Sequence, residues 1–152
     1  MQVAKIVAFC FEHYYDIVKA VQEKRLDPAT PKTGGGDGNS RRSDPTAMLG
    51  IRNVSEIDCV VVEYGAAIGG RRETFTLRHP ERWLKVVNFT REYYGGQIQW
   101  QLIELRYQQG LTRDEILAEL NIGRSLYHVL CNDVFCFATG VAMGIGLVPP
   151  RH

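Results

Sequence analysis

The chain has 152 residues, with 18 Lys/Arg against 17 Asp/Glu for a net charge of +1, and 45% of it is hydrophobic. That length suits one domain with at most a small extension, and the apolar content can fill its core. Near-neutrality excludes bulk charge as a source of affinity for polyanions, so any such grip must be local.

Met1 to Tyr15 has no basic leader and no small-residue cleavage site. The longest apolar run, Val134 to Val148, is too short for a bilayer span. A soluble, cytoplasmic protein is expected, with no membrane partner. The four cysteines, at 10, 59, 131 and 136, form no Cys-x-x-Cys pair and read as free thiols in a reducing compartment. His128, Cys131 and Cys136 are near in sequence but do not share one helical face, and structural zinc needs four converging ligands. No metal and no cofactor is expected.

From Val3 to Val21 the apolar positions 3, 7, 10, 14, 17 and 21 follow steps of 4, 3, 4, 3 and 4. This heptad spacing predicts one helix of about five turns. It either packs inside its own domain or forms an oligomer interface, so residues 1–25 read as a packing or oligomerisation helix. Residues 26–43 are rich in Gly and Pro and read as a basic loop. No Gly-Lys-Ser/Thr follows its glycines, so it does not match a phosphate loop. Lys32, Arg41 and Arg42 could make it an arm that touches phosphates.

Residues 44–96 read as helix, hairpin and helix. Ser43 or Asp44 caps a helix with Pro45 at its first position, carrying Met48, Leu49 and Ile51. Ile57 to Tyr64 reads as a strand or as a helical continuation. Gly65 to Gly70 then turns, and Glu73 to Arg78 alternates as a second strand. Pro80 opens another helix, with Trp83, Leu84, Val87 and Tyr94 as its buried stripe and Gly95–Gly96 as its end.

Residues 97–148 read as a helix-turn-helix with a long last helix. Gln97 to Gln109 buries Ile98, Leu102 and Leu105 and ends at Gly110, which suits a left-handed cap. Thr112 and Glu115 form a capping box that starts a short helix buried through Ile116 and Leu120. Asn121 and Gly123 break that helix, and the next begins at Gly123 or Arg124. At 100° per residue Tyr127, Leu130, Val134 and Val141 share its inner face, while Ser125, His128 and Asn132 point outward with Arg124 at the flank. Those outward side chains can read base edges or hold phosphates. Past Val134 the helix is apolar all round and must be covered, and Gly140 with Gly144 would let another helix approach closely.

The fold class expected is mainly α: a helical domain with a C-terminal helix-turn-helix and a small central β-hairpin. Charge is uneven along it. Residues 24–52 hold six Lys/Arg against three Asp, and residues 101–152 hold four Arg against five Asp/Glu. The grip on a polyanion is therefore expected from the N-terminal half.

Several motifs in order carry a resemblance: Ser43-Asp44-Pro45-Thr46-Ala47, Pro80-Glu81-Arg82-Trp83-Leu84, Tyr93-Tyr94, Glu104-Leu105-Arg106-Tyr107, Gly110-Leu111-Thr112, Glu115-Ile116, Leu120-x-Ile122, Arg124 and Tyr127. From about residue 40 the chain resembles phage and prophage transcriptional regulators of the RinA/ArpU type, whose C-terminal part is similar to region four of bacterial sigma factors. It departs from the pattern in Gly123, where Ser is usual, in Leu117, which would crowd the two helices, in Leu126 and Val129, where more polar residues are usual, and in a reading helix with one arginine and no lysine.

The resemblance implies a phage-encoded, sequence-specific regulator of late gene transcription in the cytoplasm of a bacterial host. It would bind double-stranded DNA and position host RNA polymerase. Thr112, Arg113, Arg124, Ser125, His128 and Asn132 are the candidate DNA-binding residues of the helix pair, with Arg41 and Arg42 in the loop. A homo-oligomer is expected. No catalytic constellation stands out, so the chain reads as a non-enzyme. Two other readings stay open: a DNA-packaging subunit of the small-terminase kind, and a protein-interaction module whose helix-turn-helix is structural.

Overall fold

The computed structural model describes residues 3–26 and 55–148. The Gly-rich loop, the helix expected after Ser43, and Arg41 and Arg42 lie outside the described residues.

The N-terminal stripe forms two helices rather than one, α1 (Val3–Glu12) and α2 (Tyr14–Leu26). They part at His13, although its N–H still donates to the Phe9 carbonyl (2.8 Å) and its carbonyl accepts from the Ile17 N–H (3.0 Å). No proline or glycine marks this break in the sequence. Val7, Cys10, Phe11, Ile17 and Val21 are buried within the same chain. Phe11 meets Trp100 and Phe135 edge-on, with ring centres 6.0 and 5.8 Å apart. The heptad stripe is thus consumed by the chain's own core.

Ile57 to Tyr64 does not continue a helix. β1 (Cys59–Ile68) pairs antiparallel with β2 (Arg71–Arg78) in a two-stranded sheet. Val60 and Val62 are buried, and Val60 faces Leu77 across the strands. Val61 and Glu63 point outward, the alternation expected of a sheet with one covered face. The strands run further than the sequence suggests, and the turn shrinks to Gly69–Gly70. Both glycines have positive φ (62° and 78°), as a two-residue hairpin turn demands.

α3 (Pro80–Tyr94) starts after His79, which holds φ 52°. Its buried side is Trp83, Val86, Val87, Thr90 and Tyr94; Leu84 is only half-buried. The Tyr94 hydroxyl donates to the Asp133 carbonyl at 3.2 Å and ties α3 to the last helix. α4 (Ile98–Ile103) continues into a π-helical turn at Glu104–Gln108 that the periodicity did not announce. Gly110, at φ 72°, ends it as expected.

α5 (Arg113–Leu120) and α6 (Arg124–Gly144) follow. α6 buries Tyr127, Leu130, Cys131, Val134, Ala138 and Ala142 against α1, α3 and α4. Its far end is covered on one side only. Cys136, Gly140, Met143 and Gly144 are exposed. A side chain added at Gly140 or Gly144 would meet nothing within 4 Å. The close packing expected of those glycines falls instead to Ala138 and Ala142. Among the described residues α6 is also a helix long and apolar enough to cross a bilayer, with mean hydropathy 1.3 and a third of that window buried. Core helices of soluble proteins meet the same test.

Candidate nucleic-acid interface

The pair α5–α6 is built by local signals. Thr112 Oγ1 accepts from the Glu115 N–H (3.3 Å), and the Glu115 carboxylate accepts from the Thr112 N–H (3.1 Å). Both bonds of the capping box therefore form. Ile116 anchors α5 in the core. Leu117 is accommodated half-buried, so it does not hold the helices apart. Asn121 ends α5 at φ 52°, a conformation that Asn tolerates better than most residues. The Ile122 N–H then donates to the Leu117 carbonyl (3.1 Å), and the Tyr127 N–H to the Gly123 carbonyl (3.0 Å). Three residues, 121–123, separate the helices.

The first half of α6 sorts as its periodicity predicts. Tyr127 is 4% exposed and points inward. Arg124, Ser125, His128 and Asn132 are exposed. Leu126 and Val129 lie among them, 45% and 53% exposed.

Four of the sequence-predicted residues, Thr112, Arg113, His128 and Asn132, line one open groove of about 700 Å³. Arg124 and Ser125 do not line it; they stand exposed at the start of α6. The groove also contains Lys5 of α1 and Arg106 of the π turn, neither of which the sequence reading selected. Lys5 is invisible to it because α1 is remote in the chain. Arg106 lay within a motif of the resemblance, but its aim depends on the π turn.

Arg106 is held from several sides. Its guanidinium lies 5.0 Å from the Tyr107 ring centre and 5.9 Å from that of Tyr127. Its Nη1 is 3.8 Å from the Cys131 sulfur. Burial pushes the Tyr107 hydroxyl up to about 12, against the opposing pull of Arg106. Burial likewise raises the Cys131 thiol and the Tyr127 hydroxyl. These walls are neutral near pH 7, so the charge of Arg106 is left uncompensated by them. Among the described residues Arg113 pairs only with its neighbour Asp114, at 3.9 Å and on the surface, where such pairs are weak. Counting Lys5, Arg106 and Arg113 against Asp114, the groove carries a net +2 with His128 neutral. This local excess contrasts with the acidic balance of residues 101–152, and Lys5 from the N-terminal helix contributes to it.

Among the described residues no cluster of His, Cys, Asp and Glu could hold a metal ion. Cys131 is buried and Cys136 exposed, so the two thiols do not face a common point. No protein-family profile, curated protein or solved structure matches this chain.

Proposed function

We propose that the chain is a sequence-specific double-stranded DNA-binding protein in which α5 and α6 act as a helix-turn-helix. The observation that carries this reading is the convergence of Thr112, Arg113, His128 and Asn132 with Lys5 and Arg106 on one cationic groove. The N-terminal half of α6 enters the major groove. Arg124 takes a guanine or a flanking phosphate, and Ser125, His128 and Asn132 extend the contact along the same side. Leu126 and Val129 suit the methyl groups of thymine, an apolar contact available only in the major groove. Through its resemblance to RinA/ArpU-type regulators, the role assigned is control of phage late transcription by positioning host RNA polymerase.

Self-association belongs to the same reading. A two-fold dimer presents two reading helices to a pseudo-palindromic site. The surface proposed for it is the exposed far end of α6 (Cys136, Gly140 and Met143) with Phe89 and Tyr93 of α3, both exposed. The N-terminal stripe is not available, because the chain buries it.

Selection from a random duplex pool at low salt tests the proposal. The expected result is enrichment of one motif. A protein that retains no duplex at 50 mM salt would instead favour the interaction-module reading.

A further inference from the structure

A second large groove among the described residues, about 830 Å³, lies between α1 and the tip of the hairpin. Lys5 and Ala8 line both grooves, so the two meet along the outer edge of α1. The hairpin tip and α1 line this groove together, and β1 is irregular at the tip. Between the pairs Tyr64↔Glu73 and Ile68↔Arg71, residues 65–67 of β1 oppose Arg72 alone. Extra residues on one strand bend it, and here the bend carries Gly65, Ala66 and Ile68 onto the groove.

The ionic groups of this second groove fall into two kinds. Arg72 braces the tip: its Nε donates to the Gly65 carbonyl (2.9 Å), and its Nη2 lies 3.9 Å from Asp16. Glu12 lies 3.7 Å from His13, an ion pair only when the imidazole is protonated, and Glu73 faces Tyr64 across the strands and raises its hydroxyl. Lys5 and Arg71 are different. Both are exposed, and neither has an ion-pair partner among the described residues. Beside Arg71 stands Ile68, 83% exposed at the tip.

We propose that Lys5 and Arg71 continue the cation line of Arg106 and Arg113, so that one phosphate backbone of a bound duplex runs from the α5–α6 groove past α1 to the hairpin tip. The inference rests on the DNA-binding reading above and adds a second contact region to it. The fold brings together a lysine from residue 5, an arginine from residue 71 and the C-terminal helix pair. Two unpaired cations on the shared wall and at the far end supply charge where a phosphate chain leaving the first groove would pass. Neither contacts a base edge in this arrangement, so their contribution is independent of sequence.

The test is the salt dependence of binding to one fluorescent 20-bp duplex between 50 and 200 mM salt. Lys5→Gln, Arg71→Gln and the double variant are compared with the parent. Lys85→Gln, exposed on α3 and outside both grooves, is the charge control. Each track variant is expected to flatten the slope of log K against log salt by about 0.9, the effect of one lost phosphate contact. The double variant should flatten it by about twice that, equally for unrelated duplexes, while Lys85→Gln leaves it unchanged. Thermal melts should be unaltered, since both side chains are solvated and unpaired. If the double variant keeps the parent slope while Arg113→Gln flattens it, the track is refuted and the helix-pair reading stands. If the parent binds no duplex at 50 mM salt, both fall together.

Discussion

The Arg106 guanidinium sits 5.9 Å from the centre of the Tyr127 ring, joining the π turn to the buried face of α6. Through this contact the groove's cation is positioned by a residue that belongs to the core. Arg106→Gln should therefore weaken DNA binding without unfolding the protein, whereas Arg106→Glu should abolish binding at 150 mM salt. Anisotropy titration with a parallel circular-dichroism melt checks both. Parent-like binding by Arg106→Glu would remove the groove from the interface.

The α5–α6 junction depends on two short-range devices. Thr112→Ala removes the capping box and should cost about 1 kcal/mol of stability. Asn121→Val should cost about 1–2 kcal/mol, because a β-branched residue is strained at φ 52°. Asn121→Gly should be nearly neutral, since glycine adopts that conformation freely. Urea denaturation distinguishes the three. Equal losses for the valine and glycine variants would show that the Asn121 side chain, not its backbone conformation, holds the turn.

Stability should fall in alkali. Burial raises the Cys10 thiol from 9.0 to about 12 in the folded chain. The folded state thus keeps a proton that the unfolded state has already lost. The contribution is whole below about pH 9 and decays as the pH rises from 9 to 12, with a slope of about 1.4 kcal/mol per pH unit for one such group. Tyr107, also raised to about 12, adds a loss of the same sign starting near pH 10. Denaturant midpoints measured at pH 8, 9.5 and 11 should decline in that order; a flat series would contradict the burial of both groups. At pH 8, alkylation under native conditions should modify Cys136, which is exposed, well before Cys10.

Gly140 reports on self-association. Nothing lies within 4 Å of a methyl group added there. Within one chain Gly140→Ala should stabilise α6 by up to about 1 kcal/mol. Gly140→Leu should be tolerated by the monomer and should break a dimer packed closely through this face. Analytical ultracentrifugation of parent and Gly140→Leu separates the outcomes. A parent that stays monomeric at high micromolar concentration would remove the dimer from the account.

Local chemistry made most elements legible in the sequence. Pro80, Gly110, the Thr112–Glu115 pair and Asn121 each fix a boundary by a conformation or bond that involves neighbours only, and each appears where those rules put it. The inner face of α6 from Tyr127 to Val134 was legible for the same reason, through its 3.6-residue period. What depended on distant partners was not. The break at His13 lies where the ring packs between Phe9 and Tyr64, with centres 4.7 and 4.6 Å away, and Tyr64 comes from the hairpin. The heptad of Val3 to Val21 could not say whether its cover was a second chain or α3 and α6. The groove itself needed Lys5 and Arg106, placed by a helix remote in sequence and by a π turn with no periodic signature.

The most direct measurement is the paired comparison of Arg124→Ala and Tyr127→Ala, each followed by circular dichroism and by titration with the selected duplex. Arg124 is exposed at the start of α6 and Tyr127 is buried three residues on. Arg124→Ala should fold normally and lose about 1–3 kcal/mol of binding free energy. Tyr127→Ala should lose about 3 kcal/mol or more of stability, as large-to-small changes in a core do. An Arg124→Ala protein that folds and binds the duplex as tightly as the parent would contradict the assignment of α6 as the reading helix.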